Sequence, residues 1–247
     1  MINNFSILDI YEEPKVNSKL SSQMLYGEKF KIIYKKNNWL KIKTSYDNYT
    51  GYIKNKKFTI RSNPSFKIYF LKSKIFKKKN GKFKKTNRFL YFASRVTKIS
   101  ENQKFLEFEK NKWIKKKDLK KINHIEGNYD KIFKSFLNSK YLWGGKTAEG
   151  IDCSSLIQIY FYYNQIFFPR DTKDQIKYCK KKVKKKLSKG DIIFWKGHVG
   201  VCLNSSKFLH AYGPRKKVLI MPINYTIKLI ETTAKLYVKK ISNIKNF

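Results

Sequence analysis

Cysteine, acidic residues and long apolar runs are all scarce in this sequence, and each scarcity excludes a class of protein. The cysteines are Cys153, Cys179 and Cys202, an odd number without paired spacing, which argues against a disulfide framework. No run of about 18 apolar residues occurs, so no membrane-spanning helix is predicted. The longest apolar stretch, 157–168, is interrupted by polar residues and is expected to form a buried helix.

The N-terminal residues also lack the features of a secretory signal, which needs a basic start, an apolar stretch of about 7–15 residues and a small-residue cleavage site. Acidic residues, Asp9, Glu12 and Glu13, follow the first few positions instead. Together with the unpaired cysteines, this predicts a cytoplasmic protein. A periplasmic or extracellular location stays open as the alternative, because a protein whose leader has been removed would look the same.

Metal-binding and cofactor-binding patterns are absent from the sequence as well. There is no Cys-x-x-Cys or His-x-x-x-His spacing of the kind that binds zinc, no phosphate-binding glycine loop and no dinucleotide-binding fingerprint. We therefore expect no cofactor and no metal. Core-forming residues are plentiful, with 41% apolar and 16% aromatic residues, which excludes a wholly disordered chain.

Positive charge is the feature in excess. The chain has 56 Lys and Arg against 17 Asp and Glu, a net charge of +39. Lysine-rich surfaces bind phosphates, but here the lysines are spread along the whole chain, and arginine, the residue suited to bidentate phosphate contacts, is rare. We predict no specific nucleic-acid partner, and we interpret the densest runs, 77–79, 115–117 and 180–186, as solvated faces and loops. This charge should attract small anionic substrates in a salt-dependent way.

Short strands are predicted in the first half of the chain. Apolar and polar residues alternate at 29–32 and again at 39–43, and Asn37 and Asn38 provide a turn signal between them, as in a β-hairpin. Strands of this spacing suggest small barrels.

We predict one barrel over residues 1–60 and a second, weaker one over residues 61–125. The segment 61–64 is interpreted as the linker between them. The lysine-rich segment 77–88, which contains an Asn-Gly turn signal, is interpreted as a solvated loop. No chemistry is assigned to the second barrel.

The pattern changes in residues 126–247, where helices are followed by strands, as in an α+β domain. A helix is predicted over 129–137, glycines then mark a loop, and a long apolar helix should begin near Ser154. Strands are predicted at 192–195, 199–203 and 207–212.

Cys153 lies where the glycine loop meets the start of this long helix. The positive end of a helix macrodipole and its unpaired amides favour a thiolate, the reactive form of cysteine. This position therefore suits a nucleophile. The alternative is a small buried side chain at Cys153, with Asp152 or Ser154 serving only as a helix cap.

Two of the three histidines favour the catalytic interpretation. His198 and His210 lie on the two strands that follow the helix. If a three-residue turn is centred on Asn204, the two histidines oppose each other and share one face of the sheet, within reach of each other. One imidazole would then orient the other.

These residues lie within a longer resemblance. The chain is similar to the NlpC family of cysteine peptidases in six segments that occur in the family's order. They are 141–145 (YLWGG), 150–156 (GIDCSSL), 169–172 (PRDT) with Gln175, 190–194 (GDIIF), 197–201 (GHVGV) and 209–211 (LHA). The resemblance implies a papain-like α+β domain that hydrolyses γ-D-glutamyl bonds in murein peptides.

The resemblance also implies a role for each matching residue. Cys153 would be the nucleophile, His198 the general base and His210 the polar group that orients it. Substrate contacts would come from five further residues. These are Tyr141, Asp152, Ser154, Asp171 and Thr172.

The first half resembles the bacterial SH3-like domain that precedes the catalytic domain in dipeptidyl-peptidase-type members. The matching segments are 22–28 (SQMLYGE), 38–42 (NWLKI) and 49–53 (YTGYI). In those relatives an acidic residue and a tyrosine recognise the free amine of an N-terminal L-Ala, and the best matches here are Glu28 and Tyr49. Tyr46 or Tyr52 can replace Tyr49, and Glu28 can instead be a turn carboxylate.

The sequence thus predicts a cysteine peptidase that cleaves the γ-D-glutamyl to diamino-acid bond in free murein peptides, in cell-wall recycling. One alternative is an exported hydrolase acting on intact peptidoglycan. Another is a non-catalytic basic module that binds nucleic acid or an anionic polymer.

Overall fold

A computed structural model describes residues 1–60, 63–182 and 186–247. The chain forms two compact units, Met1–His124 and Ile125–Phe247. The predicted linker at 61–64 and the lysine run at 180–186 lie partly outside the described residues. The division into three domains, 1–60, 61–125 and 126–247, stays a prediction.

The first unit is built from short antiparallel strands. Their bounds are β1 Ile7–Tyr11, β2 Leu20–Leu25, β3 Phe30–Lys36, β4 Trp39–Thr44, β5 Thr50–Lys54, β6 Phe66–Ile68, β7 Lys72–Lys79, β8 Lys82–Tyr91, β9 Arg95–Val96, β10 Ser100–Glu101, β11 Phe105–Glu109, β12 Lys112–Lys115 and β13 Leu119–Lys121. They form sheets of order β2-β1-β5-β4-β3, β10-β11-β12-β7-β8 and β13-β6-β9. The predicted hairpin is confirmed, since Asn37, with a φ of 52°, joins β3 to β4.

Two closed barrels, expected for this unit, are not confirmed. Within the described residues, no pairing joins the edge strands of either five-stranded sheet. The ladder within each sheet is also interrupted, because a single residue pair, Tyr11 with Tyr52 or Trp113 with Phe76, connects two of its inner strands. A closed barrel needs a continuous staggered ladder, and these joints do not provide one.

The interpretation of 77–88 as a solvated loop is wrong, because this segment forms most of the long β7–β8 hairpin. Asn80 and Gly81 both have positive φ, 51° and 75°, as in the type I′ turn that matches strand twist. Alternation of Lys and Phe then turns Phe83 onto an aromatic cluster, where its ring stacks on Phe105 at 4.2 Å and meets Trp113 edge-on at 5.2 Å. These ring contacts make strand pairing more favourable than solvation.

The second unit is α+β, as predicted. Its elements are α1 Tyr129–Ser135, β14 Lys146–Thr147, β15 Gly150–Ile151, α2 Cys153–Tyr163, α3 Thr172–Tyr178, β16 Asp191–Trp195, β17 His198–Cys202, β18 Lys207–Tyr212, β19 Lys217–Pro222, α4 Ile223–Ala234 and β20 Lys240–Asn243. The antiparallel order of its main sheet is β19-β18-β17-β16-β20. Helix α2 packs against β17 and β18, and all of its residues except Tyr160 are buried.

Helix α2 and strand β18 begin where the sequence predicted, whereas α3, β19, α4 and β20 were not anticipated. The longest helix in the described part of the chain, α4, has 12 residues. None of the described helices has the length and apolar character needed to cross a membrane.

Candidate active site

Asp152 starts helix α2 and thereby positions Cys153 in its first turn. Asp152 has an extended backbone, and its carboxylate accepts hydrogen bonds from the backbone amides of Ser155 at 2.7 Å and Gly144 at 2.9 Å. An aspartate that satisfies free amides in this way is a strong N-cap. Cys153 is consequently the first residue of α2, and its side chain faces β17.

The thiol of Cys153 contacts the backbone of Gly197 and Val199, the two residues that flank His198 in the sequence. It donates a hydrogen bond to the Gly197 carbonyl at 3.9 Å, and the backbone amide of Val199 and the side chain of Thr172 also hydrogen-bond to it. The nucleophile of the sequence prediction therefore meets the strand that carries the predicted base.

Burial opposes the thiolate that the helix start was expected to favour. Burial, and secondarily the nearby Asp152 carboxylate, raise the pKa of Cys153 to about 12, because the Val199 amide, Arg170 and Thr172 offset these effects only in part. Desolvation disfavours the charged form of a thiol. The resting side chain is therefore a neutral thiol.

His198 and His210 form a hydrogen-bonded pair, with His198 Nε2 2.9 Å from His210 Nδ1. Burial lowers the pKa of His198 to about 4, although part of its surface stays accessible. Burial, and secondarily the neighbouring His198, lowers the pKa of His210 to about 2. Both imidazoles are therefore neutral at physiological pH.

The strand register that brings the two histidines together differs from the predicted one. Val201 pairs with Leu209 and Cys202 with Phe208, so the turn is centred on Ser205 rather than Asn204. This register places Gly200, not His198, opposite His210.

A shift of two residues keeps both histidines on one face, because side chains alternate along a strand. His198 and His210 are then diagonal neighbours, a separation that ring side chains span. Gly200 leaves the space between them open: a β-carbon there would collide with Phe208 and lie 2.8 Å from His210 Cβ.

Comparison with known families agrees with this geometry. Residues 138–235 match the NlpC/P60 family, and residues 10–58 match the bacterial dipeptidyl-peptidase Sh3 domain. The chain therefore carries an NlpC/P60 domain. Its SH3 domain precedes it, and the matched segment covers β2–β5, whereas the second predicted barrel lies outside both matches.

Relatives in three bacteria are similar to parts of this chain. A probable endopeptidase NlpC homolog of Haemophilus influenzae is 35% identical over 32% of this chain and 45% of its own length. A gamma-D-glutamyl-L-lysine dipeptidyl-peptidase of Bacillus subtilis is 30% identical over 47% of this chain and 43% of its own length. A Bacillus cereus protein of the same name is 24% identical over 84% of this chain and 72% of its own length. This chain thus spans under half the length of the first two relatives.

A solved structure extends the likeness to the whole fold. The crystal structure of an NlpC/P60 family protein from Bacillus cereus superimposes with a TM-score of 0.82, at 20% sequence identity, over 98% of each chain. The likeness concerns the fold.

In the NlpC/P60 domain, Arg170 forms a buried ion pair with Asp152. Its guanidinium contacts both carboxylate oxygens, at 2.7 Å and 3.2 Å, and the Ser154 hydroxyl at 2.9 Å. Ser154 also donates to the Asp152 carboxylate at 3.1 Å. Because five donors converge on Asp152, the geometry favours a cap and ion pair over contact with a substrate amine, and it ties Ser154 to the same network.

Two of the other predicted substrate residues, Thr172 and Tyr141, lie near the thiol of the NlpC/P60 domain, and the third, Asp171, adjoins Thr172 in the sequence. Thr172 is buried and hydrogen-bonds to Cys153, while burial and then the thiol raise the pKa of half-buried Tyr141. Asp171 precedes α3 without capping it, and burial raises the pKa of its carboxyl. Within the described residues, no hydrogen bond to the Asp171 carboxylate is found, which distinguishes it from Asp152.

Glu28 and Tyr49 lie in the first unit. The carboxylate of Glu28 accepts a hydrogen bond from the Leu25 amide at 2.9 Å, as a turn carboxylate does. The Tyr49 hydroxyl donates to the Ser21 carbonyl at 3.4 Å. The contacts agree with structural roles, and recognition of a substrate amine by this pair stays a prediction.

Sequence reasoning missed Arg170, Gly200 and Met221. Arg170 and Gly200 were part of matching segments, but nothing in their spacing indicated an ion pair or an opened space. Met221 lies on β19, and its Sδ is 3.3 Å from His210 Nε2. A strand predicted after residue 216 would have placed Met221 on the strand next to His210.

Proposed function

We propose that the protein is a cysteine peptidase acting on cell-wall peptides, and that it hydrolyses the γ-D-glutamyl to diamino-acid bond of murein peptides with a free N-terminal L-Ala. The observation that carries this proposal is the contact of the Cys153 thiol with the backbone on either side of His198, which is itself hydrogen-bonded to His210. The family match and the names of the relatives support the coarser statement, a cell-wall peptidase.

The geometry suggests how the bond is broken. Sγ of Cys153 attacks the carbonyl carbon while its proton moves to Nδ1 of His198, a nitrogen without a hydrogen bond among the described residues. Backbone amides at the start of α2, including that of Cys153, stabilise the oxyanion. As the C–N bond breaks, His198 returns the proton to the leaving amine, and water then hydrolyses the thioester with His198 as base.

Asp171 is the carboxylate that we assign to the substrate's ammonium group. It is half-buried and adjoins Thr172, which contacts the nucleophile. Burial of a carboxylate is unfavourable, and the positive charges of Arg170 and Lys173 offset this burial only in part. A bound ammonium relieves the remainder. A cytoplasmic recycling role forms part of the proposal, and cell fractionation tests it.

Mass spectrometry of products from L-Ala-γ-D-Glu-meso-diaminopimelate tests the function. We expect L-Ala-D-Glu and free diaminopimelate with the wild type, and a loss of at least about 10⁴-fold with Cys153→Ala. Cys179→Ala is the matched control, because that thiol is equally buried and has no role in the reaction. An N-acetylated peptide should be cleaved much more slowly.

Full turnover by Cys153→Ala would refute the peptidase proposal. Digestion of intact sacculi at the rate of free peptides would instead favour the exported hydrolase. Retention on DNA by a protein that cleaves neither substrate would favour the basic binding module.

A further inference from the structure

Three residues on three neighbouring strands form one connected line of side chains. They are His198 on β17, His210 on β18 and Met221 on β19. In the β18–β19 register, His210 pairs with Leu219 and Phe208 with Met221, so Met221 is the diagonal neighbour of His210 on the same face. Met221 is buried, and its sulfur lies 3.3 Å from His210 Nε2.

This contact determines which nitrogen of His210 carries the proton. A thioether sulfur accepts hydrogen bonds and has no hydrogen to donate. Neutral imidazole has one N–H, and burial keeps His210 neutral. The N–H therefore belongs on Nε2, facing the sulfur, and Nδ1 is left as an acceptor.

The tautomer of His210 in turn determines the tautomer of His198, the proposed base. An acceptor at His210 Nδ1 requires the donor to be His198 Nε2, 2.9 Å away. The lone pair of neutral His198 then lies on Nδ1, where it can receive the thiol proton. With the opposite tautomers, Nδ1 of His198 carries a hydrogen and cannot act as a base.

We propose that Met221 is a positioning residue that sets the tautomer of His210 and, through it, that of His198. The proposal rests on the peptidase function only for its kinetic consequence. The tautomers themselves are properties of the resting protein.

The test replaces Met221 with Leu, which keeps the volume and removes the acceptor, and with Gln, whose amide oxygen restores one. Two-bond ¹H–¹⁵N spectra of ¹⁵N-histidine-labelled protein distinguish Nε2–H from Nδ1–H. We expect Nε2–H on His198 and His210 in the wild type, a mixture of tautomers in Met221→Leu, and Nε2–H again in Met221→Gln. Met24→Leu, in the core of the first unit, is the control and should leave the spectrum unchanged.

In the peptide assay a wrong tautomer acts on kcat, and in a catalytic triad it lowers kcat by up to about 10⁴-fold. Since Met221→Leu allows both tautomers and only one of them is active, we expect kcat to fall in proportion to the population of the wrong tautomer, about twofold for an equal mixture, with KM unchanged and recovery in Met221→Gln. An Nδ1–H on His210 in the wild type, or unchanged tautomers in Met221→Leu, would overturn the proposal. If the protein cleaves no murein peptide, the spectra still decide the role of Met221.

Discussion

At the residue scale, the site depends on two opposing effects at Cys153. The start of α2 favours negative charge, but a thiolate buried beside Asp152 is unfavourable, and burial has the larger effect. The same burial keeps His198 neutral. In the proposed reaction, we therefore expect the ion pair of thiolate and imidazolium to form only as substrate arrives, so that proton transfer accompanies attack on the carbonyl.

The pH dependence of kcat/KM should reflect this state of His198. Its imidazole must be neutral to accept the thiol proton, and burial lowers its pKa to about 4. We therefore expect activity to persist through pH 6 and to fall as the pH drops through about 4, where His198 becomes protonated. Initial rates in buffers of constant ionic strength measure this acid limb of the pH profile. An acid limb near the ordinary histidine value of about 6.5 would contradict the assigned state.

At the element scale, the β17–β18 hairpin brings together His198 and His210, the proposed base and its proposed orienting group. That the two histidines share one face of the sheet was predictable from alternation along each strand, because any shift of two residues keeps His198 and His210 on one face. The register of the hairpin was not predictable, because Asn204, Ser205 and Ser206 permit more than one turn. The contact from Met221 was also unpredictable, since it depends on the pairing of a strand that sequence patterns did not reveal.

Gly200 gives a prediction about this hairpin. In Gly200→Ala the added methyl collides with the Phe208 ring and lies 2.8 Å from His210 Cβ, so the packing around His210 must shift. We expect a loss of about 1–3 kcal/mol in the free energy of unfolding, as for an overpacked core, together with reduced kcat. Denaturant titration and peptide kinetics measure both.

Gly127→Ala is the matched control, because a β-carbon at Gly127 would have no atom within 4 Å. It should change neither stability nor kcat. Equal stability of Gly200→Ala and the wild type would show that the space beside His210 is not needed.

At the scale of the whole molecule, each unit has a core of its own. Leu8, Ile10 and Met24 belong to one cluster in the first unit, and Trp195 and Phe208 belong to another in the second. The chemistry of the site is contained in the second unit, where α2, α3 and β17–β19 meet. Lysines are spread over both units, so charge is a property of the whole chain.

The net charge of +39 leads to a prediction about substrate preference. A positive field raises the encounter rate of anionic ligands by about 10–10³-fold at low ionic strength, and salt screens it over a Debye length of about 10 Å at 0.1 M. The diaminopimelate peptide has one carboxylate more than the corresponding lysine peptide. We therefore expect KM for the diaminopimelate peptide to rise more steeply with sodium chloride than KM for the lysine peptide, while kcat stays constant for both. Measuring the two substrates side by side between 10 mM and 500 mM salt removes general salt effects on the enzyme, and parallel curves would show that the charge does not act on the substrate.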